Sequence, residues 1–249
     1  MSLRAGLQRF YWRMEGVVAP GLRYSAFSYE EVLDPIVQSD TVWLDIGCGR
    51  EILPSWRLQQ ERTMVSRCKQ VYGVDRHAPS LREHSTISNR AVGDISELPF
   101  PSNSFDLTTA NMVVEHLDKP EAQLRELARV LKPGGRFVFH TPNLLGYPAL
   151  LSRLIPFRLR QKIASILEGR PADDVFPTFY RCNHPETIKR LATQAGLEVE
   201  RIRPIVTTAA FVVIPPLAFA ELILIRALMT NAGKPLRPNL IVVLRKPAR

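Results

Sequence analysis

Val42-Trp43-Leu44-Asp45-Ile46-Gly47-Cys48-Gly49 is an apolar run that reaches an acid and then turns through two glycines. Val42, Leu44 and Ile46 give the near-continuous hydrophobicity of a parallel strand covered on both faces, and the glycines let the backbone bend and come close to a ligand. In a nucleotide-binding α/β fold, this first strand-to-helix turn is where backbone amides meet an anionic group. A dinucleotide site would continue as G-x-G-x-x-G, but Ile52 stands at the third glycine's place. The dinucleotide fingerprint therefore fails.

The residues downstream supply the rest of a ligand edge. Val71-Tyr72-Gly73-Val74 ends on Asp75, placed to accept hydrogen bonds from ribose hydroxyls at the tip of the neighbouring strand. Ala91-Val92-Gly93-Asp94-Ile95 follows, and Asp94 can accept from an adenine amino group beside apolar Ile95. Phe105 to Asn111 reads as a further strand, followed by Glu115-His116-Leu117 and by Leu124 to Gly135.

On these four ordered motifs, residues 40 to 142 resemble the class I S-adenosylmethionine-dependent methyltransferases, in particular the small-molecule branch that includes the ubiquinone and menaquinone methyltransferases. The resemblance implies a Rossmann-like, doubly wound α/β fold with a mostly parallel seven-stranded sheet and a lid inserted after the fifth strand. It implies S-adenosyl-L-methionine as cofactor. Asp45, Gly47 and Gly49 would hold its methionine end, Asp75 its ribose, Asp94 and Ile95 its adenine, and Asn111 would line the methyl-donor region. Arg50-Glu51 departs from the family pattern, which has a small residue at that corner.

Periodicity agrees with alternating elements. Strands are expected over 42–46, 70–74, 89–92, 105–111 and 135–141, and a helix of about 12 residues from Pro120 carries Leu124, Leu127, Ala128 and Leu131 at helical spacing before Pro133-Gly134-Gly135. Residues 1–35 read as an N-terminal helical segment and 36–249 as the methyltransferase domain. Two insertions interrupt that domain. The first, 143–184, is the expected substrate lid, with Leu154, Ile155 and the basic Arg158, Arg160 and Lys162, then acids, aromatics, Arg181 and His184 between Asp173 and His184. That mixture suits a polar acceptor with a ring surface, such as a sugar or a quinone. The second, 205–229, is uncharged from Ile205 to Ala220, is broken by Pro215-Pro216, and precedes the last strand. It reads as a helix against the lid or a second subunit, or as a peripheral contact with a bilayer.

Charge is unevenly placed. Lys and Arg against Asp and Glu number 4 and 4 in residues 1–35, 13 and 13 in 36–144, and 16 and 7 in 145–249, so the net +9 lies wholly in the last segment. An anionic substrate or surface is its natural counterpart. No RRM, KH or helix-turn-helix signature accompanies it, which does not favour a nucleic-acid partner. Cys48, Cys68 and Cys182 are sparse and unpaired in sequence, and Arg4, Arg9 and Arg13 flank no apolar signal core. A cytoplasmic location is expected, extending to the inner face of a membrane.

In-line methyl transfer needs alignment more than acid–base chemistry, but a hydroxyl acceptor benefits from a base. His140, His184 and His116 are the candidates, in that order. The histidines and cysteines lack metal-ligand spacing, so no metal is expected. The leading reading is O-methylation of a small-molecule, glycan or lipid-linked acceptor. Carbon methylation of a prenylated quinone, and a non-catalytic cofactor-binding assembly protein, are the alternatives.

Overall fold

The computed structural model describes residues 3–153 and 177–248. A seven-stranded sheet is built from β1 (Val42–Ile46), β2 (Gln70–Asp75), β3 (Asn89–Val92), β4 (Phe105–Asn111), β5 (Leu131–Pro142), β6 (Glu198–Ile205) and β7 (Asn239–Arg245), in the order β3-β2-β1-β4-β5-β7-β6. The strands from β3 to β5 pair in parallel. The order reverses between β1 and β4, which is where an open α/β sheet leaves a crevice at its carboxyl edge.

Helices α1 (Leu3–Val18), α2 (Ser25–Leu33), α3 (Leu58–Arg67), α4 (Ala78–Arg82), α5 (Pro120–Val130), α6 (Tyr147–Arg153), α7 (Pro185–Gln194) and α8 (Pro215–Met229) follow in chain order. In α5, Pro120 opens the first turn, where its missing N–H is not needed, and Leu124, Leu127 and Ala128 make the buried stripe. The helix stops at Val130 because Leu131 is already extended. Pro133-Gly134-Gly135 therefore lies inside β5, where the pairing with β4 jumps from Phe105–Leu131 to Leu107–Arg136 and Gly134 takes a positive φ of 81°. The tripeptide is a bulge in the strand rather than the turn that precedes it.

The chain divides into two compact units. One comprises Met1–Ser28, Asn143–Pro177 and Pro204–Asn239, and the other Tyr29–Pro142, Thr178–Arg203 and Leu240–Arg249. The first division falls at 28/29, within α2, whose Tyr29, Val32 and Leu33 are buried. Three stretches that looked separate in the sequence thus cluster together. The lid's Leu154, Ile155, Arg158, Arg160, Lys162 and the Asp173–Phe176 run lie outside the described residues.

The second unit holds the larger core. Leu44 and Ile46 of β1, Val74 of β2, Ala110 of β4 and Phe137 and Phe139 of β5 pack with Leu124, Leu127, Ile188 and Leu191 from α5 and α7. At about 1.5 to 3 kcal/mol for each fully buried large apolar side chain, this cluster fixes the register on which the strand tips depend.

Candidate active site

Strand register puts the candidate residues side by side. Ile46 pairs with Val74 and with Ala110, so Gly47 lies between Asp75 on one side and Asn111 on the other. Asp75 pairs with Val92, two residues before Asp94, and Asn111 pairs with His140. Asp75, Asn111 and His140 of β2, β4 and β5 therefore share one edge with the Gly47 turn after β1, and Asp94 lies just beyond β3. This is the consequence of in-register parallel pairing, where residues one past each strand converge.

The loop after β1 is held by specific bonds. The amides of Gly47 and Cys48 both donate to the carbonyl of Val74, at 2.7 and 3.2 Å. Gly47 has φ 63°, and a Cβ there would come within 2.5 Å of Val113 Cγ2. Gly49, at φ 51°, opens onto empty space and donates its amide to Asp75 Oδ2 at 2.9 Å. Asp75 Oδ1 takes the His77 amide at 2.7 Å, so one carboxylate clamps the loop to the tip of β2. Arg50 and Glu51 are both exposed, and Arg50 pairs with Glu83 at 2.5 Å. The two bulky residues at the unusual corner point out of the loop. Ile52, at the place of the missing third glycine, is buried, and its carbonyl accepts from Asn111 Nδ2 at 3.1 Å.

Asp45 sits beneath this loop, only 2% exposed, and accepts from the Thr109 hydroxyl, which in turn accepts from Trp43 Nε1 at 2.7 Å. Burial lifts its carboxyl well above the usual carboxylate range, the Thr109 bond opposes that, and the charges of Glu61 and Asp75 push it further up. Glu61 is also buried, with Oε2 accepting from the amides of Ile52 and Leu53 at 2.9 and 2.8 Å and Oε1 from the Thr86 hydroxyl. Three carboxylates thus converge under one glycine loop. Asp94 accepts the Ser96 amide at 2.6 Å and pairs with Arg76, while the adjacent Ile95 is buried.

The three histidines have different surroundings. Asn111 donates through Nδ2, so its Oδ1 accepts from His140 Nδ1 at 2.9 Å and the His140 proton is on that nitrogen. Burial pushes the His140 imidazole down from the ordinary 6.5 to about 4. His184 is the N-cap of α7, its Nδ1 accepting from the Glu186 amide at 3.2 Å. His116 is half-buried in a one-turn 3-10 helix, Val114–His116, just after β4. Its neighbour Glu115 is buried, accepts from the Thr141 hydroxyl at 3.1 Å, and offers its backbone carbonyl to the amides of Phe179 and Tyr180 at 2.8 and 3.1 Å. The described end of the lid is therefore stitched to the tip of β4. Arg181 lies 5.4 Å from the Phe179 ring centre and donates to the Asp118 carbonyl. Asn183 is locked to Thr141 and Pro142.

Glu61 and Thr109 were not singled out from the sequence. Glu61 belongs to a polar helix and looks like any solvated acid. Thr109 did carry a signal, since a hydroxyl in an otherwise apolar buried strand must find a partner.

Residues 44–139 match the family described as a methyltransferase domain. Among curated relatives, a demethylmenaquinone methyltransferase of Corynebacterium efficiens is 39% identical over 83 residues, covering 32% of this chain and 36% of that protein. A malonyl-[acyl-carrier protein] O-methyltransferase of Hahella chejuensis is 33% identical over 99 residues, 39% of this chain and 35% of that one. The chain spans less than half the length of these relatives. The Haloferax volcanii protein solved in complex with the Trm112 methyltransferase activator superposes with a TM-score of 0.61 at 18% identity, over 100% of this chain and 99% of that one, which establishes the shared fold. Residues 44–139 are thus similar in sequence to methyltransferase domains, and the sheet shares its fold with a solved protein of that kind.

Proposed function

We propose that the whole chain methylates oxygen on a small-molecule, glycan or lipid-linked acceptor. The convergence of Asp45, Glu61 and Asp75 under the Gly47–Gly49 loop carries this reading. Buried like charges raise the cost of ionisation, and a ligand bearing a cation relieves it. S-adenosylmethionine, when bound, supplies an electrophilic methyl group on a positively charged sulfur, so the donor set fits it. Asp75 would hold the ribose hydroxyls, Gly47, Gly49 and Asp45 the methionine end, Asp94 and Ile95 the adenine, and Asn111 the wall beside the methyl group.

His140 is better suited to positioning than to proton removal, because a group that protonates only near pH 4 is a weak base and its Nδ1 is committed to Asn111. With His184 capping a helix, His116 is the histidine we assign to the acceptor's proton. The aromatic and guanidinium groups of Phe179, Tyr180 and Arg181, half-exposed or exposed and pinned by Glu115, offer a polar ring-binding surface that favours a sugar-like acceptor over an acyl chain.

Incubating the full chain with S-adenosylmethionine and fractionated cell extract, and following S-adenosylhomocysteine by mass spectrometry, tests the activity. Product with the added methyl on oxygen is expected, and His116→Ala should slow its formation about 10²-fold or more. Binding of the cofactor with no turnover in any fraction would instead favour an assembly role, and a carbon-methylated quinone product would overturn the oxygen assignment.

A further inference from the structure

Helix α8 is packed inside out. Its only acid, Glu221, is turned inward and buried, where it accepts from the Tyr147 hydroxyl at 2.6 Å and from the amides of Ala210 and Phe211 at 2.9 and 3.0 Å. Ala218, Leu222, Ile225 and Leu228 share that inner face, and Leu222 and Ile225 pack with Tyr11 of α1. The outer face carries Leu217, Phe219, Ile223 and Leu224, exposed by 47, 47, 51 and 38%. At 100° per residue these four, with Ala220 and Ala227 between them, form one continuous sector without a charge. Arg226 sits at its edge, donating to the Val18 carbonyl at 3.1 Å. Pro215-Pro216, which looked like a break within an apolar run, is the first turn of this helix. A helix apolar on both faces is not a solvent-facing helix.

The charges displayed by the unit that holds it are of one sign, and Arg226 and Lys234 lie on or next to the helix itself. Among the described residues of this unit the only acids are Glu15, whose Oε2 is buried, and the inward Glu221, whereas Arg9, Arg13, Arg226 and Lys234 are exposed. Among its described residues the unit holds eight Lys and Arg against these two acids. A second copy would bring like charges together. An anionic lipid surface offers both an apolar interior for the sector and negative headgroups for its surroundings. At 15 residues α8 is shorter than a spanning helix, and among the described residues no helix is long and apolar enough to cross a membrane.

We infer that the outer face of α8 docks this protein, lying flat, on an anionic bilayer. The inference stands apart from the identity of the methyl acceptor. Co-sedimentation of the full chain with vesicles of phosphatidylcholine, phosphatidylglycerol and their mixtures tests it. Partition should rise with phosphatidylglycerol, fall with salt, fall about five-fold for each of Arg226→Gln and Lys234→Gln, and fall about ten-fold for Ile223→Asp. Unchanged circular dichroism and cofactor affinity identify a folded variant, and the two charge variants keep the test alive should Ile223→Asp misfold. Equal partition onto neutral vesicles, indifference to salt, or no loss in the folded variants would overturn the inference. So would a dimer in sedimentation equilibrium that Ile223→Asp dissociates, since that would assign the face to a second copy.

Discussion

The carboxyl edge of the sheet and helix α8 bury acids for the same local reason and to opposite ends. At the sheet edge, Glu61 and Asp75 accept loop amides that would otherwise be unpaired, and the apolar side chains of the strands stay inside. In α8, Glu221 does the equivalent for Ala210 and Phe211, yet apolar side chains are displayed outside. A buried carboxylate thus marks a backbone turn that needs acceptors, and it does not by itself mark a ligand site. What distinguishes the sheet edge is that three carboxylates converge there beside glycines at positive φ.

The largest effect should come from Glu61→Ala. It strands two buried amides and the Thr86 hydroxyl together, at a cost of about 3 to 5 kcal/mol in chemical denaturation. A loss below about 1 kcal/mol would show that Glu61 is not what anchors the loop. Gly47→Ala combines a left-handed backbone with a clash against Val113, and about 2 to 4 kcal/mol is expected by the same measurement. Retention of full stability and cofactor affinity would mean that the loop has another path.

Acid should weaken the sheet unit through its buried imidazoles. His140 and His84 are both pushed down to about 4 from 6.5 by burial, His84 also by Arg90. The unfolded chain binds these protons first, so the stabilisation from keeping them neutral is complete above pH 6.5 and is lost as pH falls toward 4. Each histidine contributes about 3 kcal/mol at most across that window. Unfolding free energies measured across it should slope downward with acidity, and His84→Gln should flatten the slope. A curve of equal slope in that variant would remove His84 from the explanation. On the α8 side, Tyr147→Phe deletes one hydroxyl from Glu221 and leaves both amides bonded, so about 1 kcal/mol is expected. A much greater loss would mean that Glu221 depends on Tyr147 rather than on the turn.

The difference between the two regions also explains what could be read from the chain. β1, β2 and β4 were legible because a strand covered on both faces is a short apolar run, and its end is marked by Gly47, Asp75 or Asn111. Glu61 was not, because its burial depends on where α3 settles on the loop, which local pattern does not encode. The surroundings of the histidines were hidden for a similar reason. Topology put His140 at the ligand edge, but its burial and its bond to Asn111 are set by neighbours on other elements. In 205–229, uniform apolarity gave no face, so Leu222 and Ile225 could not be told from Ile223 and Leu224 until α1 was seen to cover one side.

Calorimetric titration of S-adenosylmethionine into the full chain and into Asp75→Ala tests the central claim most directly. The parent should bind, and the variant should lose about 1.5 to 3 kcal/mol, because the clamp on Gly49 and the acceptor for the ribose go together. Equal affinity in a folded variant, or no binding by the parent, would contradict a cofactor site at this edge.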